Sequence, residues 1–205
     1  MNWSLDLPSF VQGVIQPKSF FLTEFDPGVV RALTIRLNEA VNLGQEIFPI
    51  FIESGGGDVS SLHAILSTII SAKNKGIKIS TVTAGEASSA AAFIFCLGDE
   101  GLRFMGEHAR IMIHGYQASS ISDARVSEHK ELFSEILKEE QETLRFISSH
   151  LKGNRQKDWL RKELDKRKDT DWFINAQEAL ELGITNHIGL PTFCLKLIPE
   201  ISVSL

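Results

Sequence analysis

Short apolar segments alternate with segments of helical periodicity through the first half of the chain. The apolar segments predict strands and are SFFLTEF (19–25), IFPIFIE (47–53) and KISTVT (78–83), with LRFM and RIMIH as two further short strands. A helix is predicted from Pro27 to just before Gly44, and another over about Val59–Lys75. This alternation predicts an α/β fold of parallel βαβ units with right-handed crossovers.

Glycine-rich or polar turns directly follow several of these strands. They are GGG after the strand at 47–53, GEASS after the strand at 78–83, and HGYQ after RIMIH. Loops at the carboxyl ends of parallel strands gather at one sheet edge, where ligands bind. We therefore expect these three turns, distant in sequence, to lie close together in space.

Composition excludes several classes of protein. The 205 residues are enough for one domain with its own core, and 43% of them are hydrophobic. The net charge of −5, without a block of lysine and arginine, does not favour a phosphate backbone as partner, so we expect no nucleic-acid partner. No apolar segment approaches the roughly 18 residues that span a bilayer, and the start, MNWSLDLPSFVQ, lacks the features of a signal peptide. We expect no membrane association.

The chain has two cysteines, Cys96 and Cys194. Two cysteines form neither a disulfide framework nor a metal site. Cys96 lies in an apolar run, which is typical of a buried thiol. We therefore expect a reducing compartment, and a cytoplasmic location.

A single long helix is predicted over about 122–151. Its apolar residues recur at helical spacing on both sides of the polar segment KEEQET (138–143), and they are Leu132, Phe133, Ile136, Leu137, Leu144, Ile147 and Leu151. About 28 residues of helix would be roughly 42 Å long, which exceeds the width of a small domain. Part of this helix should therefore project and present an apolar stripe, which predicts self-association. The alternative is a helix broken at its polar middle and folded back.

Two adjacent serines in GEASSAAAFIFCLG (85–98) admit two interpretations. Ser88 or Ser89 could be only an N-cap, because serine is a preferred cap. Three features favour a nucleophile: the turn joins a strand to a helix, small alanines follow, and a helix N-terminus offers N–H groups to an oxyanion. The segment matches the GxSxG elbow only in part.

A nucleophilic serine needs a base and an orienting carboxylate. The six histidines are His63, His108, His114, His129, His150 and His187. His114 ends an apolar strand, where a site at the sheet edge would need it. The candidate carboxylates are Asp58, Asp99, Asp123, Asp165, Asp169 and Asp171. Asp171 directly precedes the apolar WFI, but the residues alone do not favour it over Asp169.

The triple glycine in SGGGDV (54–59) permits positive φ and close approach of another chain. The sequence is neither a GxGxxG fingerprint nor a P-loop. Its N–H groups could form half of an oxyanion hole or pair with a peptide substrate.

These pieces together resemble the Clp protease proteolytic subunit family of serine peptidases. The family's SPGG-type turn is here ESGGGDV, its GQAASMGA turn is GEASSAAA, and its MIHQP segment is MIHGY. Its D-R-F-x-x-A-x-E-A segment is here DWFINAQEA, after a long helix like the family's handle. Gly115 and Tyr116 stand where the family has Gln-Pro. The resemblance covers about residues 19–190.

The resemblance implies a role for each matching position. Ser89 would be the nucleophile, His114 the base and Asp171 the orienting carboxylate, and the N–H groups of Gly57 and Ala90 would form the oxyanion hole. It implies a fold shared with the crotonase group, a spiral of βαβ units with a long projecting handle helix. The predicted divisions are an N-terminal arm (1–18), a peptidase domain (19–190) and a C-terminal tail (191–205).

The resemblance also implies an assembly, in which heptameric rings stack as a tetradecamer around a closed chamber. An AAA+ unfoldase would feed polypeptides into the chamber and would use the ATP. The chain itself should need neither metal nor cofactor.

Three other functions are compatible with the same residues. The chain could be a catalytically inactive ring subunit, or an acyl-CoA-processing enzyme that uses a backbone oxyanion hole. A Ser-Lys mechanism is a variant, but Lys73 and Lys75 have no evident route to Ser89.

Overall fold

A computed structural model of the protein describes residues 17–117, 126–151, 157–167 and 170–193. The strands in these ranges are β1 (Phe20–Leu22), β2 (Ile47–Ile52), β3 (Lys78–Thr83), β4 (Glu86–Ser88), β5 (Arg103–Met105), β6 (Arg110–Ile113), β7 (Trp172–Asn175) and β8 (His187–Ile188). The helices are α1 (Pro27–Asn42), α2 (Val59–Lys73), α3 (Ala90–Cys96), α4 (Val126–His150), α5 (Trp159–Lys166) and α6 (Ala176–Glu181). The predicted arm and tail lie almost wholly outside these ranges, so the domain division stays a prediction.

The larger sheet confirms the predicted α/β fold. Its strand order is β1-β2-β3-β5-β8, and every neighbouring pair is parallel. Pro49 lies in β2 where only β3 pairs with it, because the ladder to β1 begins at Ile50. Proline is tolerated at such a locally unpaired edge, since it cannot donate to a ladder.

A smaller sheet, with the order β4-β6-β7, corrects part of the prediction. β4 and β6 are parallel, but β6 and β7 are antiparallel, which the alternation of strands and helices did not predict. β4 is also new: the serine-bearing turn follows this short strand, not β3. The turns therefore leave strands of two different sheets, and β4 carries the chain from one sheet to the other.

Helix α3 forms the centre of the core. All seven of its residues are buried, and it contacts β3, β4 and β6. Its first turn is Ala90-Ala91-Ala92, and these small side chains allow strands of both sheets to approach closely. Burial raises the pKa of the Cys96 thiol to about 12, which confirms the predicted buried thiol.

Helix α4 is continuous from Val126 to His150, about 37 Å at 1.5 Å per residue, so the broken alternative is wrong. Its C-terminal half packs into the core through Leu144 and Ile147. Its N-terminal half leaves three large apolar side chains exposed: Leu132 by 42%, Phe133 by 51% and Leu137 by 53%. We call α4 the handle helix.

Candidate active site

Ser89 lies between β4 and α3 in a strained backbone conformation. Its φ is 55° and its ψ is −124°, and no other non-glycine residue in the described ranges has positive φ. Such a conformation costs about 1–3 kcal/mol and persists only where the surroundings enforce it. A strained turn from strand to helix is also how nucleophilic serines are presented in α/β-hydrolases.

Hydrogen bonds on both sides of β4 enforce this turn. The Ser54 N–H donates to the Glu86 carbonyl at 3.0 Å, and the Ser88 N–H donates to the Ser54 carbonyl at 2.9 Å. On the other side, the Ser89 N–H donates to the Met112 carbonyl at 2.8 Å. The turn is thereby fixed to the triple-glycine segment and to β6 together.

The start of the turn is held by the Glu53 carboxylate. It accepts hydrogen bonds from the N–H groups of Ala84, Gly85 and Glu86 at 2.6, 2.9 and 3.0 Å. A Cβ at Gly85 would lie 2.7 Å from Glu53 Oε2, so a side chain there would displace the Glu53 carboxylate. Glu53 therefore shapes the chain between β3 and β4.

The two serines have different surroundings. Ser88 is buried, and its hydroxyl donates to Glu86 Oε1 at 2.5 Å. Ser89 makes no side-chain cap to α3 and lines a cavity of about 310 Å³. The capping interpretation is therefore wrong for Ser89, and Ser89 is the one of the two serines that lines the cavity.

The cavity brings together the turns that the sequence predicts to converge. Its lining residues are Gly55, Gly57, Val59, Leu62, Ser89, Ala90, Phe93, His114, Gly115, Tyr116 and Gln117. They come from the glycine segment, α2, the serine turn and the segment after β6. The predicted convergence is confirmed.

Two backbone donors border the same cavity. The N–H groups of Gly57 and Ala90 have no acceptor among the residues that the structure describes. Ala90 is the first residue of α3, where N–H groups have no partner within the helix. Gly57 precedes Asp58, whose carboxylate caps α2 by accepting from the Ser61 N–H at 2.8 Å.

His114 lies one residue beyond β6, and no other histidine in the described ranges lines the cavity. Its Nδ1 donates a short hydrogen bond to the carbonyl of Gly115. The neutral ring therefore carries its proton on Nδ1, and Nε2 keeps a lone pair. This is the tautomer that a base acting on a serine requires.

Asp171 directly precedes β7 and is exposed. The antiparallel register pairs Ile113 with Trp172, so one further step places His114 opposite Asp171. The Asp171 carboxylate, however, has no hydrogen-bond or ion-pair partner among the described residues, and it does not line the cavity. In this structure the Gly115 carbonyl occupies the Nδ1 position that the resemblance gives to Asp171.

The competing carboxylates and lysines are engaged elsewhere. Hydrogen bonds from Ser60 and from the Ser61 backbone lower the pKa of Asp58. Asp99 pairs with Lys73 at 2.9 Å, and Asp165 pairs with Arg161 at 2.6 Å. Asp123 and Asp169 lie outside the described residues. The Asp99 pair also holds Lys73 away from the cavity, which disfavours the Ser-Lys variant.

Comparison with known proteins identifies the family. The model of a family described as Clp protease matches residues 29–191. The ATP-dependent Clp protease proteolytic subunit 2 of Streptomyces avermitilis is 32% identical over 171 residues, which cover 82% of this chain and 80% of the relative. The ATP-dependent Clp protease proteolytic subunit of Porphyromonas gingivalis is 29% identical over 170 residues, which cover 82% of this chain and 69% of the relative. This chain belongs to the Clp protease family.

Membership of the Clp protease family confirms the resemblance drawn from four short motifs. The structure brings four of the five residues singled out by those motifs to one cavity, namely Gly57, Ser89, Ala90 and His114. It places the backbone of Asp171 opposite His114 without a contact between the two side chains. In the described part of this Clp protease chain, no helix is long and apolar enough to cross a bilayer.

Sequence reasoning missed Glu53 and the role of Gly56. A Cβ on Gly56 would lie 2.7 Å from the Ser89 Cβ and 2.8 Å from the Ser88 carbonyl. The glycine triplet did signal close approach of another segment, but not that the segment was the serine turn. Nothing in the sequence signals that the Glu53 carboxylate is surrounded by three N–H groups, because these come from a turn about 30 residues away.

Proposed function

We propose that this chain is the proteolytic subunit of a Clp-type protease and a serine endopeptidase. The observation that carries the proposal is the strained Ser89 turn, which lines the same cavity as His114. Family membership supports peptide hydrolysis over thioester chemistry.

In the proposed reaction, His114 Nε2 takes the proton of the Ser89 hydroxyl as Oγ attacks a peptide carbonyl. The N–H groups of Gly57 and Ala90 donate to the oxyanion. The imidazolium then protonates the leaving amine, and water hydrolyses the acyl-enzyme by the reverse sequence of proton transfers. The Gly115 carbonyl holds the neutral ring through Nδ1, and Asp171, whose backbone lies opposite His114, supplies the negative charge that stabilises the imidazolium.

The cavity wall favours apolar side chains in the substrate. Val59, Leu62 and Phe93 line the cavity beside Ser89. Unfolded polypeptides, which expose such side chains, are the substrate class that we propose. We further propose that the chain needs no metal or cofactor of its own.

The proposal extends to the assembly and its surroundings. The exposed apolar residues of the handle helix favour stacking of two rings, for which we propose heptamers that form a tetradecamer. We propose that an AAA+ unfoldase supplies the substrate. The expected cytoplasmic location stays a prediction.

The test compares Ser89→Ala with Ser88→Ala on a fluorogenic peptide with an apolar residue before the scissile bond. We expect Ser89→Ala to abolish turnover and labelling by a fluorophosphonate, with the adduct located on Ser89 by mass spectrometry. Ser88→Ala removes only the bond to Glu86 and should retain labelling. Loss of turnover in Ser88→Ala but not in Ser89→Ala would refute the assignment.

One observation favours a second candidate, a catalytically inactive ring subunit. The His114 ring is bonded to the Gly115 carbonyl, and Asp171 does not contact it. A purified oligomer that neither hydrolyses peptides nor reacts with the fluorophosphonate would favour this candidate. Turnover of acyl-CoA thioesters without peptide cleavage would instead select the acyl-CoA-processing alternative.

A further inference from the structure

Tyr116 joins the segment that carries His114 to two helices. It lies two residues beyond His114 and lines the same cavity. Its hydroxyl donates to Thr143 Oγ1 of the handle helix at 2.9 Å and lies 3.1 Å from His63 Nε2 of α2. Its backbone N–H donates to Glu140 Oε1 of the handle helix at 3.2 Å. We call the group of Tyr116, His63 and Thr143 the Tyr116 anchor.

The anchor is part of a closely packed polar contact. His63 Nε2 also lies 3.1 Å from Thr143 Oγ1, and His63 Nδ1 pairs with Glu139 Oε1 at 2.9 Å. A Cβ on Gly115 would lie 2.6 Å from Glu140 Oε1, so the missing side chain of Gly115 leaves room for the Glu140 carboxylate beside the Tyr116 N–H. Backbone and side-chain contacts together hold the segment after β6 against the handle helix.

The chemistry of the anchor suits a fixed contact. Burial raises the pKa of Tyr116 to about 12, so the phenol stays a neutral donor at ordinary pH. Thr143 is buried, so its hydroxyl is costly to leave without a partner. In the family's MIHQP pattern a proline stands at this position, and proline has neither a hydroxyl nor an N–H. The anchor is thus a feature of this chain and not of that pattern.

We propose that Tyr116 is a positioning residue for peptide hydrolysis. It fixes the chain just after Gly115, whose carbonyl is the partner of His114 Nδ1. Displacement of Tyr116 would therefore displace the group that orients the His114 ring beside Ser89. The inference rests on the proposed function, because Tyr116 acts through His114.

The experiment removes one hydrogen-bonding group at a time. Tyr116→Phe keeps the ring in the cavity wall and loses only the hydroxyl, and Thr143→Val removes its acceptor with little change of shape. Each should lower kcat on a fluorogenic peptide about tenfold, or about 1.4 kcal/mol, with KM unchanged. The double variant should lose less than the sum of the two single losses, because both substitutions remove the Tyr116–Thr143 bond and each also removes one contact with His63.

A matched control is Thr34→Val. The Thr34 hydroxyl donates to the Val30 carbonyl and lies 3.3 Å from Thr68 Oγ1, between α1 and α2 and outside the cavity lining. Thr34→Val removes a threonine hydroxyl from a helix, as Thr143→Val does, and it should leave kcat unchanged.

Hydrogen exchange of residues 113–117 provides a readout that does not depend on activity. We expect faster exchange in Tyr116→Phe and Thr143→Val, and no change in Thr34→Val. Unchanged kcat with unchanged exchange, a higher KM alone, or additive losses in the double variant would each overturn the inference. A wild-type protein that is inert to peptide and fluorophosphonate would overturn the proposed function, while the exchange data would still decide whether the anchor exists.

Discussion

At the scale of single residues, Ser89 is unusual because its backbone conformation costs free energy and its side chain caps nothing. A serine that served only the fold could relax to a capping geometry and gain about 1 kcal/mol. Instead, hydrogen bonds to the Ser54 and Met112 backbones hold β4 and Ser89 on both sides. The strain is therefore imposed by long-range contacts, which is typical of a functional site.

Gly56→Ala tests whether the glycine segment shapes the serine turn. The new Cβ would meet the Ser89 Cβ at 2.7 Å and the Ser88 carbonyl at 2.8 Å, and the residue has φ of +97°. Neither neighbour can rotate away, so we expect a loss of about 1–3 kcal/mol in urea unfolding and a large fall in fluorophosphonate labelling. Gly55→Ala, whose Cβ meets nothing within 4 Å, should keep the unfolding midpoint of the wild-type protein. Equal midpoints for the two variants would contradict this account.

The sequence predicts residue types better than it predicts their contacts. Ser89 and His114 were candidates because each follows a strand, a signal that local pattern carries. Asp171 could not be separated from Asp169 by pattern, because the distinction rests on the antiparallel register of β6 and β7. No local sequence pattern indicates the roles of Tyr116 and Glu53. The Thr143 hydroxyl that binds Tyr116 lies 27 residues away, and the N–H groups that bind Glu53 lie 31–33 residues away.

At the scale of elements, apolar periodicity predicts the long elements and misses the short ones. α1 runs from Pro27 to Asn42 and is followed by Gly44 with φ of +66°, as the proline and glycine signals predict. β4 has only three residues, too few for a period to emerge. Its existence depends on pairing with β6 and with Ser54, which are non-local contacts.

The start of α2 gives an element-scale prediction that depends on pH. Asp58 caps α2, and its pKa is lowered by hydrogen bonds from Ser60 and from the Ser61 backbone. A lowered folded pKa gives stability that is present above the unfolded value near 3.8 and is lost as the pH falls through the folded value. Asp58→Ala should cost about 1 kcal/mol at neutral pH.

The control for Asp58→Ala is Asp58→Asn, which keeps a capping oxygen and cannot ionise. The wild-type protein should have a larger free energy of unfolding than Asp58→Asn, and this difference should shrink as the pH falls below about 4. Urea unfolding at a series of pH values measures it. A difference in free energy of unfolding that stays constant down to pH 2 would show that the charge of the Asp58 carboxylate does not contribute to stability.

At the scale of the whole molecule, the candidate site depends on segments that span most of the chain. Glu53 shapes the turn, Ser89 and His114 line the cavity, and Asp171 is held opposite His114 by the smaller sheet. The handle helix links these parts to the surface: its C-terminal half anchors Tyr116, and its N-terminal half exposes apolar residues. Assembly through the exposed half would therefore act on the same helix that contacts the site.

The exposed half of the handle helix gives a prediction about the proposed stacking of two rings. Phe133 and Leu137 lie one turn apart on its apolar stripe, so Phe133→Glu with Leu137→Glu would place two charges in the proposed contact between rings. We expect native mass spectrometry to show single rings in place of stacked rings, with lower peptidase activity. Lys138→Glu changes the net charge by the same amount at an exposed position about 100° around the helix from Leu137, outside the apolar stripe, and should keep the stack. Stacked rings in the double variant would place the contact elsewhere.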